Sequence, residues 1–153
     1  MTTPHPEALG SSVICQVGLI VRDIEKSAKA YADLFGMDVP TWSLTDPEEK
    51  AHTRYRGQPT GGRAKLAFFD MGSLSLELIQ PVGGPSTWQE FLVAHGEGVH
   101  HIAFQIKGMD GQIALLEGKG MPLVQRGDYT GGRYAYIDAV PQLAVVLELL
   151  END

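Results

Sequence analysis

Four side chains able to bind a metal ion or carry a proton stand inside runs that are otherwise apolar. They are Gln16 in VICQVGLIV, Glu77 in SLSLELIQ, His101 in GVHHIAFQI and Glu148 in LAVVLELL. Each run reads as a β-strand, and side chains alternate across a strand. Counting in twos sets Gln16 with Ile14, Gly18 and Ile20, and Glu77 with Ser75 and Ile79. It sets His101 with Val99, Ala103 and Gln105, and Glu148 with Val146 and Leu150. In each strand the opposite face is the oilier one. A carboxylate in the middle of an apolar strand is costly unless something pairs with it, and a cation would remove that cost. One amide oxygen, two carboxylates and one imidazole suit Zn²⁺, Ni²⁺, Co²⁺ or Mn²⁺, with positions left for water and substrate. On spacing alone a second reading stays open, in which the four residues are unrelated and each faces solvent or bonds a Ser, Thr or Arg neighbour.

The elements that must position these residues come in two similar series. The first has a strand over Val13–Val21, a helix over Ile24–Phe35 capped by Gly36, and a strand over Met37–Ser43. A long loop, Thr45–Gly62, carries a short turn of helix, and strands Ala64–Asp70 and Ser73–Gln80 then form a hairpin through Met71-Gly72. Pro81–Pro85 is a linker, Ser86 a helix N-cap and Thr87–His95 a short helix. The order then begins again with strand Val99–Lys107, helix Asp110–Gly118 and strands Pro122–Gln125, Arg133–Asp138 and Leu143–Leu150. Gln16–Arg22 lies over His101–Lys107, and Leu76–Leu78 over Leu147–Leu149, so the chain holds an internal repeat. The division expected is a flexible leader at 1–12, a first βαβββ module at 13–81, a linker with a short helix at 82–97 and a second βαβββ module at 98–151. All belong to one structural domain of 153 residues, large enough to build a core without structural metal.

Composition narrows the partners. The chain has 19 acidic and 12 basic residues, a formal charge of −7, and its basic residues are scattered, so nucleic acid is not an expected partner. No run approaches the roughly 20 apolar residues of a spanning helix, and no membrane partner is expected. The N-terminus lacks the pattern of a secretory signal, and the single cysteine, Cys15, permits no internal disulfide. The expectation is a soluble, cytoplasmic protein acting on a small molecule.

In sequence, Gln16-Val-Gly-Leu-Ile-Val-Arg-Asp-Ile-Glu-Lys-Ser, then Leu34-Phe35-Gly36, Leu76-Glu77-Leu78-Ile79-Gln80-Pro81, Gly98-Val99-His100-His101-Ile102-Ala103-Phe104 and Leu147-Glu148-Leu149 resemble the vicinal oxygen chelate superfamily. Within it the resemblance is strongest to methylmalonyl-CoA epimerases and lactoylglutathione lyases (glyoxalase I). It covers nearly the whole chain after the leader. It implies an α+β fold of two tandem βαβββ modules forming a curved mixed sheet around one divalent metal ion, with Gln16, Glu77, His101 and Glu148 in the ligand positions. It also implies a homodimer.

Such an ion acts as a Lewis acid, favouring loss of a proton from a carbon beside a chelated carbonyl. A glutamate must then move that proton, and Glu148 is the first candidate, with Glu77 as the alternative. The ligand set is similar to that of zinc-type glyoxalase I. That group, however, has an Arg and an Asn where this chain has Ile20 and Pro81, while the Leu-Ile-Gln-Pro ending and the His-His pair resemble the epimerases. The expected activity is therefore a metal-dependent epimerase or isomerase of the methylmalonyl-CoA epimerase type, with a lactoylglutathione lyase as the alternative. A different class is a metal-free binding protein for antibiotics, whose aromatic pocket Trp42, Trp88, Tyr129, Tyr134 and Tyr136 would line.

Remaining candidates are weaker. Gln105 shares the counted face of His101 and is a candidate to orient substrate, as are Arg133, Tyr134 and Tyr136 beside the Gly131-Gly132 turn. His100 alternates onto the apolar face and reads as a buried, hydrogen-bonded core histidine. Cys15 reads as a small hydrophobe. His5, His52 and His95 read as exposed, with His52 the one able to reach a substrate. Arg54, Arg56, Arg63 and Lys65 form a basic cluster suited to a carboxylate or a CoA phosphate, or to plain solvation.

Overall fold

A computed structural model describes residues 7–153. The first six positions of the expected leader, His5 among them, lie outside the described residues. The elements in chain order are β1 (Gln16–Ile20), α1 (Ile24–Phe35), β2 (Ser43–Leu44), α2 (Glu48–Ala51), β3 (Arg54–Tyr55), β4 (Gln58–Pro59), β5 (Arg63–Asp70) and β6 (Ser75–Val82). They continue with α3 (Thr87–His95), β7 (Gly98–Gln105), α4 (Met109–Gly118), β8 (Leu123–Tyr129), β9 (Gly132–Asp138), α5 (Val140–Leu143) and β10 (Val146–Asn152).

The ten strands form one strongly curled sheet in the order β2-β5-β6-β1-β7-β10-β9-β8-β3-β4. The strands β2-β5-β6-β1 of the first half are mirrored by β8-β9-β10-β7 of the second, and in each half the first strand runs parallel to the last. The halves meet where β1 and β7 pair antiparallel. This is the α+β, curved mixed sheet that the resemblance implies.

Alternation divides the core as it divides the strands. On the outer face α1 buries Ile24, Ala28 and Ala32 against Ala67, Phe69 and Leu78. Likewise α4 buries Ile113 and Leu116 against Ala135, Ile137, Leu147 and Leu149. Inside the curl, Ile20, Ala64, Ile79, Trp88 and Tyr136 form a third cluster beneath α3. The caps explain the sharp helix ends. Asp23 accepts from Lys26 N at the start of α1, and Gly36 ends it in the left-handed region. The Ser86 hydroxyl accepts from Gln89 N at the start of α3.

Several boundaries differ from expectation for physical reasons. The first strand starts at Gln16, not Val13, because Val13 and Ile14 extend past the partner strands and stand exposed. The expected strand Met37–Ser43 shrinks to Ser43–Leu44, since Pro40 has no N–H to give a ladder and Val39 is exposed. The last strand begins at Val146 rather than Leu143, the preceding residues forming α5. The linker begins after Val82, which still belongs to β6. Within the long loop, β3 crosses to the second half and pairs with β8.

Because α3 depends on one buried serine for its start, Ser86→Ala is expected to cost about 1 kcal/mol. The measurement is a lower urea midpoint at unchanged slope.

Candidate metal centre

Register across the four middle strands sets out the site. One rung of the sheet reads Phe68, Glu77, Gly18, His101, Val146, and the next reads Ser75, Gln16, Ala103, Glu148, Tyr136. The polar side chains alternate with Gly18 and Ala103, and those two small residues leave room for them. A Cβ built on Gly18 would overlap the His101 ring, so glycine is required there.

The four side chains meet. His101 Nε2 lies 3.1 Å from Gln16 Oε1, 3.2 Å from Glu148 Oε1 and 3.5 Å from Glu77 Oε1. Ligand atoms of Glu77, His101 and Glu148 all lie within 4.8 Å of one another. His101 is fully buried, and Gln16, Glu77 and Glu148 are nearly so. Neither Glu77 Oε1 nor Glu148 Oε1 accepts a hydrogen bond. Two buried carboxylate oxygens without donors, facing an imidazole nitrogen and an amide oxygen, are a donor set that fits a divalent cation. Burial, and then the nearby Glu148 carboxylate, push the Glu77 carboxyl well above its usual range.

The centre opens into a cavity of about 370 Å³. Leu44, Leu66, Phe68, Trp88 and Leu150 supply apolar wall, and Tyr129, Tyr134 and Tyr136 supply rings with hydroxyls. Trp88 Nε1 donates to the Tyr136 hydroxyl and Gln125 Nε2 to that of Tyr134. Each phenol oxygen therefore accepts from one side and keeps its own O–H to donate. Burial holds the Tyr134 and Tyr136 protons on well above the ordinary tyrosine range, and Tyr129 is pushed up to about 12, again chiefly by burial. A second hollow of about 390 Å³ lies behind His100 under α3 and shares no lining residue with this one.

Some candidates fall elsewhere. Gln105, at the end of β7, is exposed and outside the cavity lining. Arg133 alternates away from Tyr134 and pairs with Glu151 and Asp153. Trp42 lies on the outer side, donating to Glu25 and covered by Lys65. The basic cluster is occupied locally, with Arg56 on Glu90, Arg63 on the Thr45 carbonyl and Arg54 on the Gly57 carbonyl. His52 is exposed and pairs with Asp128 at 3.0 Å. His95 packs against Phe91 with the two rings tilted.

His100 is buried and hydrogen-bonded as expected, but it is not on the outer face. A bulge opposite Gly18/Leu19 skips it in the register, so His100 and His101 are both buried and in contact. Residues missed in the sequence are Leu44, Thr45, Asp46 and Thr53, which line the mouth from the long loop, and Phe68 and Gln125. Pairing of Phe68 with Glu77 across the hairpin was the available signal for one of these.

A sequence model of the Glyoxalase/Bleomycin resistance protein/Dioxygenase superfamily matches residues 15–137. The chain belongs to that superfamily. It is 34% identical over 92 residues to the uncharacterized protein YqjC of Bacillus subtilis (strain 168), a match spanning 58% of this chain and 66% of that protein, just under two thirds of its length. Among solved structures it is similar to methylmalonyl-CoA epimerase from Mycobacterium tuberculosis, with a TM-score of 0.62, 21% identity and 97% and 96% of the two chains covered. It is also similar to a single-residue variant of Streptomyces coelicolor methylmalonyl-CoA epimerase in complex with 2-nitronate-propionyl-CoA, with a TM-score of 0.62, 23% identity and 91% and 96% covered. At these identities the two structures share the fold of the superfamily member described here. Among the described residues no helix is long and apolar enough to cross a membrane.

One outcome follows from the crowding of charge and one from the close packing at Gly18. Below the ordinary carboxylate pKa, Glu77 is protonated in both folded and unfolded chains. As pH rises, the unfolded chain ionises first, so stability falls until the raised folded pKa is passed. Metal-free Glu77→Gln should therefore be more stable than the parent at neutral pH, by about 1–4 kcal/mol, and equal to it in acid, as read by urea midpoints across pH. Gly18→Ala should displace His101 and cost about 1–3 kcal/mol, measured in the same way.

Proposed function

We propose that this centre binds one divalent metal ion through Gln16, Glu77, His101 and Glu148. We further propose that it moves a proton at a carbon beside a carbonyl of a small substrate, as an epimerase or isomerase does. The observation that carries this reading is the pair of buried, donorless carboxylate oxygens converging on His101 Nε2 at the floor of a cavity. When bound, such an ion supplies Lewis-acid charge that makes the neighbouring carbon more acidic. Zn²⁺, Ni²⁺, Co²⁺ and Mn²⁺ all suit the donor set.

The chain's own groups have distinct tasks in this reading. Glu148 takes the proton and returns it, with Glu77 as the alternative, both standing at the cavity floor. Tyr134 and Tyr136, protonated and anchored from behind, donate to a substrate oxygen and orient it. The apolar wall excludes water from the acyl part of the substrate.

Likeness in fold to methylmalonyl-CoA epimerases supports an acyl-CoA thioester among the substrates to try. Among the described residues no lysine or arginine lines the cavity, so the wall favours a compact acyl group, with any phosphate left outside. The lactoylglutathione lyase alternative is less well supported. Ile20 and Pro81, where that group carries Arg and Asn, are a fully buried core residue and a strand residue paired with Ala64.

Metal analysis of protein purified without added metal, followed by titration with the four ions, is the first test. About one equivalent per chain, lost in Glu77→Ala/Glu148→Ala, is expected. Loaded protein should then exchange an α-proton of an acyl-CoA for deuterium in D₂O, at a rate that Glu148→Gln lowers by about 100-fold or more. A chain that takes up none of the four ions would overturn the proposal and leave the aromatic cavity as the site of a metal-free binding protein.

A further inference from the structure

The bulge in β7 places two histidines side by side, and only His101 meets Gln16, Glu77 and Glu148. His100 Nδ1 lies 2.9 Å from His101 Nδ1, and its Nε2 lies 2.8 Å from Thr87 Oγ1. The ring is 1% exposed and is met edge-on by Phe91 at 5.4 Å and Tyr136 at 5.0 Å between centroids. Thr87 is itself held, because its backbone N–H, one of the free donors at the start of α3, donates to Gln125 Oε1 at 2.8 Å. Gln125 in turn donates to Tyr134. Both nitrogens of His100 are thus engaged.

We propose that His100 is a positioning residue for the centre, sharing one ring proton with His101 so that the His101 ring stands with Nε2 toward Gln16, Glu77 and Glu148. Two nitrogens 2.9 Å apart in a hydrogen bond hold a single proton between them. When Nε2 of His101 gives its lone pair to a cation, the remaining ring proton must sit on Nδ1 and donate to His100 Nδ1. The His100 proton then sits on Nε2 and donates to Thr87 Oγ1, so each step leaves one arrangement for the next. Outer partners of this kind orient a ligand ring and raise its basicity. The consequence for metal affinity rests on the metal reading above, whereas the shared proton does not.

Two readouts test the proposal. In metal-free protein, ¹H–¹⁵N NMR should show one slowly exchanging ring proton bonded to Nδ1 of one histidine and coupled through space to the other. It should be lost in His100→Leu. In metal-loaded protein the proton of His100 should be on Nε2. Affinity for Zn²⁺, measured by competition with a chelator, should fall about 10–100-fold in His100→Leu. It should stay within a few-fold of the parent in His100→Gln, whose amide can still accept from His101 and donate to Thr87. A histidine serving only as filler would show no such order, with leucine tolerated as well as glutamine. Should His100→Leu fail to fold, Thr87→Val removes the far end of the chain, and free tumbling or fast exchange of the His100 ring proton is the expected sign. Absence of the shared proton in the parent, or parental Zn²⁺ affinity in His100→Leu, would overturn the proposal. A parent that binds none of the four ions but shows the shared proton would overturn the metal reading and leave the positioning role standing.

Discussion

Two carboxylates held beside one another in the floor of a cavity, with an imidazole between them and no hydrogen-bond donor for their inward oxygens, are the electrostatic problem around which this fold is arranged. Like charges out of water repel and lose hydration together. A chain tolerates that arrangement only where the surrounding structure fixes it. Here the fixing comes from the four middle strands, where Gln16, Glu77, His101 and Glu148 each have ladder partners on both sides. It also comes from the outer helices, which bury the opposite face of each strand. Gly18 and Ala103 complete it by being small at the two positions between the polar groups.

The repeat explains the symmetry of the centre and also where the symmetry breaks. Glu77 and Glu148 occupy equivalent places in the two halves, whereas Gln16 and His101 are equivalent positions filled by different donors. The residue before each differs in the same way. Cys15 makes one thiol contact to the Ala103 carbonyl, while its counterpart His100 is tied into the polar chain through Thr87 and Gln125. An element without a counterpart in the repeat, α3, carries that chain. The imidazole is therefore supported from a helix that belongs to neither half, and the amide across from it is not.

Much of this was legible in the residues. Strong caps at Asp23, Gly36 and Ser86 set α1 and α3 to the residue, and strict alternation found all four members of the centre. Alternation failed where the backbone left the ideal pleat. A single bulge moved His100 to the inner side, and no pattern of residue types announces a bulge. Gln105 failed differently: it keeps its face but lies at the end of β7, beyond the reach of the curl. Arg133 was grouped with Tyr134 by nearness in sequence, although neighbours on a strand point opposite ways. The mouth of the cavity was invisible, because its residues lie in a loop whose path depends on pairing with the other half.

That loop has a geometric consequence. The outermost strands of the sheet, β2 on one side and the β3–β4 pair on the other, come from a single stretch of chain, joined by residues 45–53. The curled sheet is thus drawn together like the rim of a purse, with Thr45, Asp46, Ala51 and Thr53 as the cord across the opening. The length of that cord sets how far the two rims stand apart. Relatives that differ only by insertions or deletions there would keep the same floor and differ in the girth of the molecules they admit.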